Sequence, residues 1–322
     1  MAVALPGNNE NKLLEELYIR KIRLDEEKDR KCQRVLTEVL KTVIDKAKEK
    51  SHDFIELFKE IYYGGSYYDN LKVRSTDFEF DLNIVFKIPK HTEWSLTNLG
   101  VDVRRPNFAH LQTKEHPHSG AWNKILCQDR EGNLVVSPGK MFKILQSAVD
   151  RAITDIGNLV VVDMERYRVT RATGAPVILK VQGPGIKFTV DLVPAFKFEL
   201  YHLKAASSEV NERVTHILTK FNIYVDNFML IALKNASPDS LEVDFHDIER
   251  QLLAKRGGCV YTVIKLIKYL RDSKGGTMTR LWSHLLKIAG YKKKSSIYPK
   301  LHISDLSAAS SYETRHCLLE QC

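Results

Sequence analysis

The chain has 322 residues, 43% hydrophobic and 9% aromatic, which supplies a large packed core and excludes a disordered or fibrous class. No apolar run reaches the roughly 18–20 residues of a membrane-spanning helix. Five scattered cysteines (Cys32, Cys127, Cys259, Cys317, Cys322), none in CxxC spacing, point away from a disulfide scaffold or cysteine-based zinc site and toward a reducing, cytoplasmic compartment.

The net charge of +9 is uneven: Gln251–Lys300 holds twelve Lys or Arg against one acid, Asp272, and Arg20–Lys50 holds eleven against seven. Such asymmetry is the footprint of a polyanionic partner.

Met1–Asn11 lacks a basic stretch followed by an apolar core, so no secretory signal is expected, and residues 1–11 read as disordered. From Leu13 to Lys50, Val35, Leu36, Val39, Leu40, Val43, Ile44 and Ala47 recur at helical spacing. They predict a long helix with one apolar stripe and a break near Leu24–Glu27. A short helix over Asp53–Ile61 leads into the turn Gly64-Gly65-Ser66. Phe78, Phe80, Leu82, Ile84, Phe86 and Ile88 then alternate, which predicts a strand whose other face carries Glu79, Asp81 and Asn83. His91–Asn133 is polar with short strand candidates, and its His116 and His118 read as a surface loop. Val136–Gly157 reads as a helix opened by Ser137-Pro138. Asp163–Arg171, Val177–Gln182 and Lys187–Phe198 read as strands of one sheet, helical signals dominate Glu209–Ile288, and the polar stretch from Lys292 reads as a disordered tail. The outline is α+β, a mixed lobe followed by a mostly helical one.

Two features carry chemistry. The Gly-Gly-Ser turn offers unhindered backbone N–H groups and a hydroxyl where a triphosphate could rest. Glu79 and Asp81 point to one side of their strand, with Cα atoms about 6–7 Å apart, which suits two divalent cations held about 3.5–4 Å apart for in-line phosphoryl transfer. A third acid, Asp191, interrupts the apolar β-type run Phe188–Pro194. Buried there, it needs a cation or strong donors. Taken singly, each has a plainer reading: a common loop, a solvated strand face, a carboxylate bonded to backbone or hydroxyl donors.

Gly64-Gly65-Ser66-Tyr67-Tyr68-Asp69-Asn70-Leu71-Lys72-Val73, then Glu79-Phe80-Asp81, then Thr189-Val190-Asp191-Leu192-Val193, together resemble cyclic GMP-AMP synthase and the animal cyclic GMP-AMP synthase-like receptors. These belong to the nucleotidyltransferase superfamily. Asp244–Glu249 looks like the family's Ser-Phe-Ser-x-x-Glu segment, and Ile267–Leu270 and Trp282–Lys287 look like its donor-gripping helices. The resemblance implies a bilobal nucleotidyltransferase fold: a catalytic lobe with a long spine helix over 12–200, a helical lobe over 201–291, and a disordered tail over 292–322. It implies synthesis of cyclic GMP-AMP from ATP and GTP with release of pyrophosphate, and a role as an innate immune sensor whose product acts on a downstream receptor. Glu79, Asp81 and Asp191 would hold two Mg²⁺ or Mn²⁺ ions, with Asp191 also orienting or deprotonating the attacking ribose hydroxyl. Gly65, Ser66, Asp191, Lys268, Ser283, His284 and Lys287 would contact nucleotide.

The chain departs from that pattern in several places. His284 stands where the family often has a stacking Tyr, and Glu242 and Asp244 replace an Arg and a Ser that contact bases, which opens products other than mixed cyclic GMP-AMP. The His/Cys zinc ribbon of vertebrate members is absent, Lys255-Arg256-Gly257-Gly258-Cys259 running straight through, so no zinc is expected. Members without the ribbon resemble double-stranded RNA sensors, which makes RNA rather than DNA the expected activator. Arg23, Lys28, Arg30, Lys31, Arg34 and Lys41, with Lys255, Arg256, Lys265 and Lys274, are the candidate contacts for a duplex bound by shape. The helical lobe is expected to be shorter than the family's. Two other readings stand beside the enzyme: a nucleotidyltransferase-fold binding module without turnover, and a templateless polymerase making linear oligonucleotides.

Overall fold

The structure, a computed structural model, describes residues 15–16, 18–74, 78–99, 107–117, 120–173, 177–233, 239–256, 261–262, 264–265 and 268–269. Leu24–Thr262 form one of the chain's two compact units and carry every strand described.

A π-helical turn, Tyr18–Ile22, ends before Arg23, and helix α1 runs Glu26–Lys50. The break expected near Leu24–Glu27 is therefore present. Asp25 produces it: its carboxylate accepts from Glu27 N at 3.2 Å and Lys28 N at 3.1 Å, capping α1. Glu26, Glu27 and Asp29 in the first turn and Lys48 and Lys50 in the last complement the helix dipole. The buried stripe is Val35, Leu36, Val39, Leu40, Val43, Ile44 and Ala47, as the periodicity predicts, with Cys32 extending it by one turn.

Ser51 caps helix α2, His52–Leu57, by accepting from Phe54 N. The expected helix to Ile61 is corrected here. Strand β1, Phe58–Gly64, begins directly after Leu57 and pairs antiparallel with β2, Phe78–Phe86. Its burial does not alternate cleanly, so periodicity gave no strand signal; long-range pairing decides it. Between them lies the one-turn helix α3, Gly65–Tyr68.

Strand β3 is Trp94–Thr97, β4 Phe108–Thr113, helix α4 Gly120–Ile125, β5 Leu126–Gln128 and β6 Leu134–Val136. Helix α5, Pro138–Asp155, opens with proline in its first turn and packs on α1. Strands β7 (Leu159–Val162), β8 (Glu165–Arg171), β9 (Val177–Gly183) and β10 (Ile186–Glu199) follow. One edge of β10 pairs parallel with β2, and its other edge pairs first with β9 and then with β11, Asn227–Ile231. Pro194, which lacks an N–H, sits at that changeover.

Helices α6 (Tyr201–Ala206) and α7 (Ser208–Phe221) precede β11, and strand β12 (Leu241–Asp244) and helix α8 (His246–Arg256) follow it. The helical reading of Glu209–Ile288 is thus corrected at β11 and β12, which extend the same sheet to β4. Short apolar runs such as Phe228–Ile231 fit helix or strand equally, and pairing with β10 settles the choice. The fold is α+β, with a mixed twelve-stranded sheet among the described residues. No helix among those residues is long and apolar enough to cross a membrane.

The core under the sheet is aromatic: Phe196, fully buried, stacks on Trp122 at 5.2 Å and meets Phe86 edge-on at 6.2 Å. Phe196→Ala is expected to cost about 3–5 kcal/mol in urea unfolding without a change in slope.

Candidate active site

The parallel ladder between β2 and β10 aligns Glu79 with Thr189 and Asp81 with Asp191. Aligned residues of a ladder share a face, so Asp191 stands beside Asp81, with Glu79 two residues back on the same side. One carboxylate oxygen from each lies within 4.8 Å of the others. The three acids singled out in the sequence are therefore brought together.

Glu79 is exposed, Asp81 and Asp191 half-buried. Burial pushes the Asp191 carboxyl up to about 7, and the charges of Asp81 and then Glu79 push the same way. Converging hard oxygen donors on which a proton is already held against repulsion are a set that fits a divalent cation.

Gly65 lies against this cluster. Its φ is +74°, and a Cβ there would stand 2.2 Å from Asp81 Oδ2 and 2.6 Å from Asp81 Cβ. Glycine is required both by the left-handed backbone and by the close approach to the carboxylate. A Cβ on Gly64 would stand 3.0 Å from Cδ2 and Nε2 of His246. Ser66 follows, half-buried, its carbonyl accepting from Leu71 N at 2.8 Å.

Tyr67 ties the turn to α1. Its hydroxyl donates to Asp29 at 2.6 Å and accepts from Gln33, and its ring meets Phe80 at 4.6 Å. Asp29 and Gln33 were not singled out in the sequence, because their partner lies far along the chain and no local spacing marks them; His246 lies in the Asp244–Glu249 segment, but its approach to Gly64 was not foreseen.

The other expected positions divide. Lys268 is half-buried in the helical residues 268–269; Lys274, Ser283, His284 and Lys287 lie outside the described residues. Glu242 is buried and accepts from Asn107 Nδ2 at 2.7 Å, while Asp244 pairs with the His246 ring and accepts from His246 N at 2.9 Å.

Of the basic candidates, Arg23 and Lys41 are exposed, and the exposed Arg30 donates to Glu26 O at 3.2 Å. Lys31 pairs with Glu165 at 2.8 Å and Arg34 with Asp163 at 2.7 Å. Lys255 donates to the carbonyls of Phe221 and Asn222, closing the C-terminus of α7. Arg256 is the last residue of α8. Lys265 is buried, and burial lowers its ammonium pKa, so it drops out of a surface that must meet phosphates. Lys28 sits over the Phe78 ring at 5.5 Å and, with Lys72 and Arg74, lines a cavity of about 200 Å³. Lys72 and Arg74 were missed because neither belongs to a charge run.

A family model, the Mab-21 protein nucleotidyltransferase domain, matches residues 67–255. The chain is 25% identical over 255 residues to a cyclic GMP-AMP synthase-like receptor of Aethina tumida, covering 74% of this chain and 60% of that protein. It is 25% identical over 283 residues to one from Microplitis demolitor, covering 82% and 48%. A receptor of the same description from Tribolium castaneum is 28% identical over 150 residues, covering 45% and 36%. The chain spans 60% and 48% of the length of the first two relatives.

Because the Asp191 carboxyl sits at about 7, above its ordinary value, its contribution to the ion-free fold is complete in acid and is lost as pH rises through about 7. A cation displaces that proton, so Mn²⁺ affinity should rise roughly tenfold from about pH 6 to about pH 8. Titration followed by paramagnetic resonance checks this, and Asp191→Asn should flatten the dependence. Gly65→Ala should weaken Mn²⁺ binding, since Asp81 must move, and cost about 1–2 kcal/mol for the left-handed backbone, measured by thermal unfolding.

Proposed function

Since the chain belongs to the Mab-21 nucleotidyltransferase family, we propose that it joins ATP and GTP into a cyclic dinucleotide, cyclic GMP-AMP, under the control of double-stranded RNA. The observation that carries this reading is the meeting of Glu79, Asp81 and Asp191 beside the Gly65 backbone.

In each of two transfers, a ribose hydroxyl oxygen bonds to the donor α-phosphorus, the bond from that phosphorus to the bridging oxygen breaks, and pyrophosphate leaves. Glu79, Asp81 and Asp191 would hold two Mg²⁺ or Mn²⁺ ions, which when bound neutralise charge building on the phosphoryl oxygens. Gly65 and Ser66 seat the donor triphosphate. Asp191, half-buried beside Asp81, orients the attacking hydroxyl or takes its proton. No step needs a side-chain nucleophile; positioning and charge neutralisation carry the reaction.

Duplex RNA is the activator that fits the basic residues of α1, among which Arg30 and Lys41 are exposed. The names of the similar receptors support cyclic GMP-AMP as product, and zinc has no part in the proposal. A cytoplasmic place and a downstream cyclic dinucleotide receptor complete the reading.

Labelled ATP and GTP with Mn²⁺ or Mg²⁺, with and without duplex RNA or DNA, test it. A phosphatase-resistant product that depends on RNA is expected. A ladder of linear products would point to a polymerase, and no product to a binding module. Glu79→Ala and Asp81→Ala should abolish product with unchanged circular dichroism. RNA affinity should fall roughly a hundredfold between about 50 and 200 mM salt if about four phosphates are contacted.

A further inference from the structure

Helix α8 meets the glycine turn through three side chains of its first two turns. The His246 ring lies against Gly64 and edge-on to Tyr62, with centroids 6.0 Å apart, and Asp244 holds its Nδ1. Asp247 accepts from the Tyr62 hydroxyl at 2.7 Å. Arg250 donates from Nε to Asp69 at 3.0 Å and from Nη2 to the Tyr63 carbonyl at 3.0 Å, its guanidinium 5.7 Å from the Tyr62 ring. Asp69 is 8% exposed, and its own N–H donates to Gly65 O at 3.0 Å, closing α3.

Residues 62, 63, 64 and 69, which bracket Gly65–Tyr68, are thus each gripped by α8. A single helical turn has no stability of its own, so its place is set by what holds it. It abuts the Asp81 carboxylate, Tyr67 ties it to α1, and α8 pins the residues on either side of it.

We infer that His246 and Arg250 are positioning residues: through Gly64 and Asp69 they fix the Gly65–Ser66 backbone at its distance from the metal-binding carboxylates. Glu79, Asp81 and Asp191 sit on paired strands and do not depend on α8, whereas the turn, entered from β1 where Gly64 pairs with Asp81, leaves through Asp69, whose carboxylate Arg250 holds. Arg250 grips by a planar fork that spans two acceptors, which a lysine cannot reproduce. Its side chain is 35% exposed, so truncating it opens no deep cavity. That the turn seats a nucleotide triphosphate rests on the function proposed above; the clamp itself does not.

The test uses the full chain with Arg250→Ala and Arg250→Lys, and Asp69→Asn alone and combined with Arg250→Ala. Amide hydrogen exchange over residues 62–70 should rise about tenfold or more in Arg250→Ala and to a lesser extent in Arg250→Lys, with β8 and β9 unchanged. Mn²⁺ affinity should stay within about threefold, because the ligands remain on β2 and β10. With ATP, GTP, Mn²⁺ and duplex RNA, kcat/KM should fall about tenfold to a hundredfold, and the double variant should be no worse than the poorer single one. Unchanged exchange over 62–70 in Arg250→Ala overturns the clamp, whatever the turnover. Raised exchange with undiminished kcat/KM overturns the positioning role. Raised exchange in a protein whose wild type binds no Mn²⁺-ATP and makes no product overturns the nucleotide reading of the turn and leaves the clamp standing.

Discussion

The structure turns on a repulsion. Asp81 and Asp191 are set side by side by the register of two parallel strands, with Glu79 close behind, and one of the three keeps its proton to about pH 7. Left to themselves, such acids would drive the strands apart or rotate out to water. They are held by the opposite face of the same ladder, where Phe80, Leu82, Phe188, Val190 and Leu192 are all but fully buried and the Phe80 and Phe188 rings meet at 5.4 Å. Apolar burial on one side of the sheet offsets electrostatic strain on the other.

That arrangement dictates what can lie next to it. The backbone at Gly65 approaches Asp81 so closely that no side chain is tolerated, and the turn is carried by partners from both directions along the chain. Tyr67 reaches back to Asp29 and Gln33 on α1, and Asp69 reaches forward to Arg250 on α8. The turn therefore joins the acid-bearing strand to α1, which has the most basic residues of the described helices, and to α8, the helix after β12.

Charge in the sequence and charge at the surface are different quantities. Several cations of the two basic stretches already have partners or are buried: Lys31 and Arg34 pair with Glu165 and Asp163, Lys255 with the end of α7, and Lys265 is buried. Meanwhile Lys72 and Arg74, outside any basic run, gather with Lys28 around one cavity. A polyanion surface is composed by folding and cannot be counted from runs of lysine.

Read alone, the chain determined what depends on neighbours a few residues apart. The α1 stripe, the alternation of β2 and the paired outlook of Glu79 and Asp81 follow from helical and strand periods, which are local geometry. The need of Asp191 for a partner followed from an acid set in an apolar run. Tertiary structure decided the rest. β1 in place of a helix, and β11 and β12 in place of helical continuation, depend on backbone hydrogen bonds to distant strands. Gly65 against Asp81, and Asp69 against an arginine 181 residues away, depend on meetings for which no spacing in the chain encodes a signal.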